Sequence, residues 1–262
     1  PAQIDRFEVK EVLGTDGLGA VYLAHDPNSE RDVALKVADI EAFGKFDWLS
    51  GRFNREAEIA TELAHPAIPE CYDYGETADS AYVAMEYIDG SSLEEILEAE
   101  KEFLPEKMVI KWTLQLCDAL TYLHNQKPEP FILHDMKPAN ALADHNGKVY
   151  LLFYGLEAYH PGRELPLTGM IGTEGYSPPE QYIGYSDARS DIYALGATLH
   201  QLLTRRDPRK ETPFSFHDAP PRSLNPAISE ELAAVILQAT EYKAEDRYQS
   251  AAEMKAALQA CL

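Results

Sequence analysis

The stretch Ile132-Leu133-His134-Asp135-Met136-Lys137-Pro138-Ala139-Asn140 lies near the middle of a chain of 262 residues. Two apolar residues begin it, and an acid, a lysine and a carboxamide follow at positions 135, 137 and 140. The identity and spacing of these three polar residues decide the fold assignment that follows. We call this stretch the central motif.

Three further motifs follow the central motif. The first is Gly172-Thr173-Glu174-Gly175-Tyr176-Ser177-Pro178-Pro179-Glu180, and the second is Ser190-Asp191-Ile192-Tyr193-Ala194-Leu195-Gly196. The apolar run from Asp191 to Leu203 predicts a buried helix, and the proline-rich positions 205–226 predict a loop. The third motif, Asp246-Arg247-Tyr248, precedes Ser250-Ala251-Ala252-Glu253, a capping-box pattern that predicts the start of the last helix.

The residues before the central motif predict strands. Phe7 to Leu13 alternates between apolar and polar residues, and Gly14-Thr15-Asp16-Gly17-Leu18-Gly19 then predicts a turn whose backbone amides could approach phosphate oxygens. A dinucleotide-binding turn would lead into a helix. Here the strand pattern Ala20-Val21-Tyr22-Leu23-Ala24 follows, so we reject that interpretation.

Lys36 stands in the apolar strand pattern Val33-Ala34-Leu35-Lys36-Val37, a position that packing alone does not favour. A lysine at a strand edge whose charged end reaches water is the alternative. Residues from Asp47 to Leu63 have helical periodicity, and Glu56 within them supplies a carboxylate that could pair with Lys36. Farther along, Pro105 is predicted in the first turn of a long helix.

Taken in order and at these spacings, the motifs resemble the protein kinase family. The central motif is similar to the catalytic loop H-R-D-L-K-P-x-N, and Gly172 to Glu180 is similar to G-T-x-x-Y-x-A-P-E. Arg247 matches the arginine that pairs with the glutamate of that motif, here Glu180. Similarity to bacterial serine/threonine kinases of eukaryotic type is most evident in the segments Pro179-Glu180-Gln181 and Ser190-Asp191-Ile192-Tyr193. The resemblance covers nearly the whole chain.

The resemblance implies an α+β fold with two lobes. A small β-rich N-lobe with one main helix is expected at residues 1–87, and a larger, mostly helical C-lobe at residues 88–262. The break Asp89-Gly90-Ser91-Ser92 marks the expected boundary.

Catalytic roles follow from the same resemblance. Lys36 would hold the α- and β-phosphates of ATP and be oriented by Glu56. Asp135 would accept the proton of the substrate hydroxyl, and Lys137 would neutralise charge on the transferred group. The remaining two matched residues are Asn140, which would bind one of two magnesium ions, and Thr173, which would bridge Asp135 and Lys137 as in serine/threonine kinases.

The ATP-binding residues are also implied by position. The glycine-rich turn would cover the phosphates, three apolar residues would enclose the adenine base, and one gatekeeper and two hinge residues would line it. The glycines of the turn are Gly14, Gly17 and Gly19, and the apolar residues around adenine are Val21, Ala34 and Leu142. The gatekeeper is Met85, and the hinge residues are Glu86 and Ile88. The alternative is that the apolar ones are ordinary core residues.

Phe153 departs from the pattern at its most consequential position. The family's D-F-G follows the catalytic loop by about a dozen residues, and here the sequence reads Phe153-Tyr154-Gly155. A phenyl ring has no oxygen, whereas Mg²⁺ requires oxygen ligands. Magnesium binding is therefore expected to be weakened or absent.

Two other departures concern charge. Asp16 replaces the middle glycine of the phosphate-binding turn and would either repel phosphate or point to solvent. His134 replaces the arginine that responds to phosphorylation of the activation loop in the family. Control by activation-loop phosphorylation is therefore not expected to follow the family pattern.

Composition limits the partners. The net charge of −21 disfavours nucleic acid and anionic membrane surfaces, and no stretch resembles a membrane span or a signal peptide. Three widely spaced cysteines without a CxxC pair favour a reduced, cytoplasmic setting. A protein partner or substrate is expected, and the sequence does not identify it.

Three functions remain open. The preferred hypothesis is a pseudokinase, a regulatory or scaffolding module that can bind ATP but transfers phosphoryl groups poorly. The first alternative is an active, atypical serine/threonine kinase, in which Glu157 or Asp16 would replace the missing ligand. The second is a protein-interaction domain that binds no nucleotide.

Overall fold

A computed structural model describes residues 3–16, 19–39, 57–128, 130–152 and 172–262. Between Asp89 and Gly90 the chain passes from one compact unit to another. The two units are described separately below.

The first unit is built on a six-stranded antiparallel sheet in the order β1-β2-β3-β4-β6-β5. The strands are β1 Gln3–Ile4, β2 Phe7–Asp16, β3 Gly19–Asp26, β4 Arg31–Asp39, β5 Cys71–Glu76 and β6 Ser80–Glu86. Residues 57–62 are helical. They are the described end of the helix predicted for residues 47–63, whose earlier part lies outside the described residues.

One face of this sheet carries an apolar core. The alternation of side chains along β2, β3, β4 and β6 brings together Phe7, Ala24, Val33, Leu35, Tyr82 and Ala84. Phe7 and Tyr82 meet edge to face with ring centroids 5.4 Å apart. The alternation predicted for Phe7 to Leu13 holds only at the start of β2, because Val12 and Leu13 are 58% and 41% exposed and the register with β3 shifts after Val9 and again after Val12.

The glycine-rich segment is more regular than the sequence indicated. β2 continues through Gly14 to Asp16, and its pairing with β3 runs on to the pair Asp16–Gly19. Only Gly17 and Leu18 separate the strands, and both lie outside the described residues. The prediction of a turn from Gly14 onward was therefore too early, because cross-strand hydrogen bonds extend the ladder to the end of the hairpin.

The second unit is mainly helical. Its helices are α1 Leu93–Ala99, α2 Glu106–His124, α3 Ala188–Thr204, α4 Pro221–Leu224, α5 Glu230–Ala239 and α6 Ala251–Gln259. Short 3-10 helices span Pro138–Asn140, Pro179–Ile183, Pro208–Lys210 and Ala244–Asp246. A small antiparallel sheet contains β7 Gly90–Ser92, β8 Ala141–Asp144 and β9 Val149–Leu151.

α3 lies at the centre of this unit, because every residue from Ser190 to Thr204 is buried. The helix predicted from Asp191 to Leu203 is confirmed, and Asp187 caps its start by accepting a hydrogen bond from Arg189 N. Gly196 allows a close approach of α5, since a Cβ atom there would lie 2.7 Å from the Cβ atom of Ala239.

Three local predictions need correction. The proline-rich loop at 205–226 contains the 3-10 helix Pro208–Lys210 and α4, because proline is favoured in the first turn of short helices. Pro105 is the residue before α2 rather than part of its first turn. The predicted break at residues 89–92 contains β7, which pairs with β8.

The start of α6 is confirmed, with one difference in detail. Ser250 Oγ accepts a hydrogen bond from Glu253 N over 3.1 Å, as the capping pattern predicts. The Glu253 carboxylate accepts from Gln249 N over 2.8 Å, one residue earlier than in a standard capping box.

All three cysteines are free. Burial raises the pKa of Cys71 to about 11 and that of Cys117 to about 12. Among the helices of the described ranges, none has both the length and the apolar character that a membrane crossing requires.

Candidate active site

The central motif forms a compact polar cluster in the second unit. Lys137 Nζ lies 2.8 Å from Asp135 Oδ2 and 2.9 Å from Thr173 Oγ1, so one ammonium group joins the two side chains. Asp135 is 2% exposed and Thr173 is 9% exposed. The bridge expected between Thr173, Lys137 and Asp135 is therefore present.

Asn140 completes the cluster. Its Nδ2 atom donates to the Asp135 carbonyl over 2.8 Å and to Asp135 Oδ2 over 3.2 Å. The 3-10 helix Pro138–Asn140 turns Asn140 back toward Asp135, and Pro138 fixes the start of that turn. Since Nδ2 donates both hydrogen bonds, Oδ1 is the Asn140 atom that could ligate a cation.

The second carboxylate oxygen of Asp135 is chemically distinct from the first. Oδ2 accepts from Lys137 and Asn140, whereas buried Oδ1 has no hydrogen-bond partner among the residues that the structure describes. A buried acceptor without a donor is costly, and native proteins keep such atoms mostly where they serve a function. Asp135 Oδ1 can accept a proton or a hydrogen bond from a hydroxyl group.

Asp191 holds the backbone that carries Asp135. The fully buried Asp191 carboxylate accepts hydrogen bonds from Leu133 N over 2.9 Å and from His134 N over 2.8 Å. His124 Nε2 lies 2.8 Å from the same carboxylate. Sequence analysis assigned Asp191 to a helix only, although an acid at the head of an otherwise apolar run was a signal that it has a polar role.

Gly172 lies in close contact both with Ser177 in its own motif and with His134 in the central motif. Its φ is +121°, and a Cβ atom there would lie 2.4 Å from Ser177 Oγ and 2.9 Å from the His134 carbonyl oxygen. Only glycine satisfies both the conformation and the space. This close contact brings the neighbouring Thr173 to Lys137.

Glu180 and Arg247 form the ion pair that the family resemblance implied. The two guanidinium nitrogens Nη1 and Nη2 lie 2.6 and 3.0 Å from the Glu180 carboxylate oxygens. Arg247 also donates to the carbonyls of Glu241 and Tyr242, and its side chain is 0% exposed. The pair ties the segment after Thr173 to the C-terminal part of the unit.

In the first unit, four of the expected nucleotide-binding residues share one face of the sheet. Val21 pairs with Lys36 across β3 and β4, and Ala34 pairs with Met85 across β4 and β6. Because Ala34 and Lys36 are two residues apart, all four side chains point to the same side. Lys36 is fully buried, which excludes the alternative of a water-exposed strand-edge lysine.

The other expected nucleotide-binding residues differ in their surroundings. Gly14 is opposite Val21, and a Cβ atom on Gly14 would meet nothing within 4 Å. A Cβ atom on Gly19 would lie 2.0 Å from the Val37 carbonyl oxygen, so Gly19 is required by the sheet itself. The last three residues are Glu86, which ends β6, Ile88, which is buried, and Leu142, which lies on β8 in the second unit.

Three residues on which the functional argument depends lie outside the described residues: Gly17, Glu56 and Phe153. The expected pairing of Lys36 with Glu56 and the metal site at Phe153 therefore remain predictions. Asp16 is the last residue of β2, and its side chain is also outside the description.

Known protein kinases are similar to this chain over nearly its whole length. The protein kinase domain family matches residues 7–262. A probable serine/threonine-protein kinase of Streptomyces coelicolor is 37% identical over 98% of this chain and 40% of its own length. The serine/threonine-protein kinase PknB of Mycobacterium tuberculosis is 38% identical over 97% of this chain and 42% of its own length.

A solved structure is similar over the same extent. The crystal structure of the Mycobacterium tuberculosis PknI kinase domain has a TM-score of 0.79 and 26% identity, covering 100% of this chain and 98% of that one. The chain therefore belongs to the protein kinase domain family, and it spans less than half the length of the two curated relatives. The predicted fold, with a β-sheet N-lobe and a helical C-lobe, is confirmed.

Proposed function

We propose that this chain is a protein serine/threonine kinase domain that transfers the γ-phosphoryl group of ATP to a hydroxyl group of a protein. The observation that carries the proposal is the Asp135 carboxylate. Lys137 and Asn140 fix Oδ2, while Oδ1 is buried without a partner among the described residues. The names of the bacterial relatives add support for this reaction.

Each residue of the cluster has a definite task in this reaction. Asp135 Oδ1 accepts the hydrogen bond and then the proton of the substrate hydroxyl. Lys137 places a positive charge where negative charge develops on the transferred group, and Thr173 holds that lysine in position. Because Asp191 accepts hydrogen bonds from the backbone amides of both Leu133 and His134, little reorganisation is needed when substrate arrives.

ATP binding is proposed for the residues that the family resemblance implies. Gly14, Gly17 and Gly19 would approach the phosphates, Lys36 would neutralise them, and Glu56 would orient Lys36. The apolar contacts to adenine would come from Val21, Ala34 and Leu142. Met85, Glu86 and Ile88 would complete the binding of the base.

Magnesium is the weak point of the proposed reaction. Asn140 Oδ1 fits one ligand position, whereas Phe153 supplies no oxygen where the family has an aspartate. When bound, Mg²⁺ neutralises and orients the phosphates. Each loss of about 1.4 kcal/mol in transition-state stabilisation slows the reaction tenfold, so we propose a slow kinase with weakened metal binding.

Phe153 favours a second candidate function. In this reading the chain is a pseudokinase, a regulatory or scaffolding module that binds ATP without transferring phosphate. Both functions imply a protein partner or substrate, and neither requires nucleic acid or contact of this segment with a membrane. The three free cysteines support our proposal of a cytoplasmic setting.

One experiment separates these functions. Thermal unfolding is measured with ATP, with and without Mg²⁺, and phosphate transfer to a protein substrate and to the chain itself is measured on the same samples. The variants are Asp135→Asn, which removes the base, and Phe153→Asp, which restores a ligand, with Phe153→Leu as the matched control.

The kinase proposal predicts label on serine or threonine that Asp135→Asn abolishes, and a rate at least tenfold higher in Phe153→Asp than in Phe153→Leu. ATP binding without label in the wild type, but with label in Phe153→Asp, would instead establish the pseudokinase. An unfolding temperature that ATP does not change would favour the third possibility, a protein-interaction domain without nucleotide.

A further inference from the structure

His134 has an unusual backbone conformation directly before Asp135. Its φ is +69°, in the left-handed region that few residues other than glycine adopt. Its N–H donates to Asp191 Oδ1 over 2.8 Å, and its carbonyl oxygen accepts from Gln181 Nε2 over 3.1 Å. Such a conformation persists only where surrounding bonds fix it. Any new bond to the His134 side chain therefore acts on a rigid segment that ends at Asp135.

The His134 side chain contacts the exposed hydroxyl group of Ser186. Its Nε2 atom lies 2.7 Å from Ser186 Oγ. Ser186 is exposed, and it lies between Gly184, where φ is +84°, and Asp187, the cap of α3. The hydroxyl of Ser186 is thus open to solvent while it contacts a side chain that can become positively charged.

The charges beside Ser186 can accommodate an anion. Asp187 would repel one, but Arg189 neutralises its carboxylate, with Nη2 2.6 Å from Oδ2 and Nε 3.1 Å from Oδ1. Arg189 Nη1 also donates to Gln249 Oε1 over 3.1 Å. The carboxylates of Glu180 and Glu245 also act on Arg189, so the imidazole of His134 is the group beside Ser186 that would pair with an anion.

We propose that Ser186 is a phosphorylation site and that His134 is the residue that binds the phosphate. In the modification, the γ-phosphoryl group of ATP bound to a modifying kinase passes to Ser186 Oγ. The bond from the γ-phosphorus to ADP breaks, the bond to Oγ forms, and the hydroxyl proton passes to the base of the modifying kinase.

The phosphate changes the nature of the contact. A phosphoserine carries about 1.5 to 2 negative charges near neutral pH and offers three acceptor oxygens. Protonated His134 then makes a charge-assisted hydrogen bond in place of a bond to a hydroxyl. This ion pair anchors the residue next to Asp135, so phosphorylation of Ser186 acts on the catalytic base. Its effect on turnover rests on the proposed kinase function.

The phosphate contact is tested by incorporating phosphoserine at position 186 of the whole chain and titrating it by phosphorus NMR. The expected result is a phosphate pKa lower by about half a unit or more than that of phosphoserine at position 223. Ser223 is the matched control, because it is exposed and its hydroxyl donates to the Pro220 carbonyl over 2.7 Å rather than contacting a histidine. His134→Asn should remove the difference, since asparagine tolerates positive φ but carries no charge.

The modification itself is tested by co-expressing the chain with the PknB kinase domain and mapping phosphate by mass spectrometry. Phosphate on Ser186 supports the proposal, and phosphate on other serines but not on Ser186 overturns it. A phosphate at 186 that titrates like the one at 223, or whose pKa His134→Asn leaves unchanged, overturns the role of His134. Neither readout needs phosphoryl transfer by this chain, so failure of the proposed function would be recognised separately.

Discussion

The guanidinium group of Arg247 is a fully enclosed positive charge whose donors all find acceptors. Glu180 accepts two of its hydrogen bonds, and backbone carbonyls of Glu241, Tyr242 and Arg189 accept the others. The guanidinium carbon also lies 4.9 Å from the ring centroid of Tyr193. Removal of such a buried group leaves its partners without donors, which costs more than the pair itself contributes.

Arg247→Ala should therefore lower the free energy of unfolding by about 3 to 5 kcal/mol. Arg222→Ala is the matched control, because Arg222 pairs with exposed Glu230 at the surface and should cost less than about 1 kcal/mol. Urea unfolding followed by circular dichroism measures both. Equal losses in the two variants would contradict the argument from burial.

Gly172→Ala combines backbone strain with a clash. A Cβ atom 2.4 Å from Ser177 Oγ and 2.9 Å from the His134 carbonyl oxygen cannot be accommodated unless these groups move, so we expect a loss of about 2 to 4 kcal/mol. Gly147→Ala separates the two causes, since Gly147 has φ of +79° and nothing within 4 Å of a Cβ atom. Its loss should be only about 1 to 2 kcal/mol. Similar values from chemical denaturation of both variants would exclude the clash as a cause.

At the catalytic residues, prediction succeeded where the sequence matches a kinase motif position by position. The pairing of Glu180 with Arg247 and the joining of Asp135, Lys137 and Thr173 were both implied by the family resemblance. The contact of His134 with Ser186 and that of His124 with Asp191 were not. These depend on the path of the backbone between distant segments, and local spacing carries no information about that path.

Among the secondary-structure elements, α5 begins at a junction of two helices. Ser229 Oγ accepts from Leu232 N over 3.2 Å and so caps α5. Its N–H and hydroxyl both donate, over 2.7 Å, to the carboxylate of Glu106 in the first turn of α2. One side chain thus caps a helix and joins two helices.

Ser229→Ala should consequently cost more than a cap alone. Loss of a cap costs about 1 kcal/mol, and the lost hydrogen bond to charged Glu106 adds about 1.5 to 3 kcal/mol. Ser250→Ala, which removes only the cap of α6, serves as the comparison and should cost about 1 kcal/mol. If the unfolding midpoints of the two variants fall together, the contact with Glu106 contributes nothing.

Element types were easier to predict than their ends. The buried α3 and the strands of the first unit follow from apolar periodicity, which extends over many residues. The helix Pro221–Leu224 and the strand Gly90–Ser92 are only four and three residues long, so they carry no measurable period. Their conformation is decided by neighbours in the fold.

For the whole molecule, acid should act in two stages. Burial lowers the pKa of His200 to about 4, and its Nε2–H donates to the Ala219 carbonyl over 2.9 Å. Between the ordinary histidine pKa of about 6.5 and pH 4, the unfolded chain binds a proton at this residue and the folded chain does not. Stability is therefore full above that window and falls with decreasing pH inside it, by at most about 1.4 kcal/mol per pH unit.

The second stage involves carboxylates. Hydrogen bonds from Arg6 hold the pKa of Asp26 below its usual value, and hydrogen bonds from Arg189 do the same for Asp187. Their contribution is present above about pH 3.8 and is lost as these groups protonate at lower pH. Urea titrations from pH 7 to 3 should show both stages, and His200→Gln should flatten only the first. A first stage unchanged in that variant would assign it to another histidine.

The functional residues of the whole chain were predictable only through the family resemblance. No local pattern links Lys36 with Asp135, which are separated by 99 positions. The presence of Phe153 where the family has an aspartate alters the expected chemistry, although the chain keeps the family's fold. The division into lobes at residues 87 and 88, and the roles of the individual site residues, accordingly remain predictions. Fold follows from many redundant apolar contacts, whereas function depends on a few atoms.

The free thiols described above allow local opening of the fold to be measured by chemical labelling. Cys117 lies in α2 of the second unit and is fully buried, and burial raises the pKa of its thiol to about 12. A maleimide probe can therefore label Cys117 only when its surroundings open, whereas Cys71 in the first unit is only partly buried and can react without such opening. The labelling rate of Cys117, compared with that of Cys71 in the same sample, would report how often the second unit opens, without any introduced reporter.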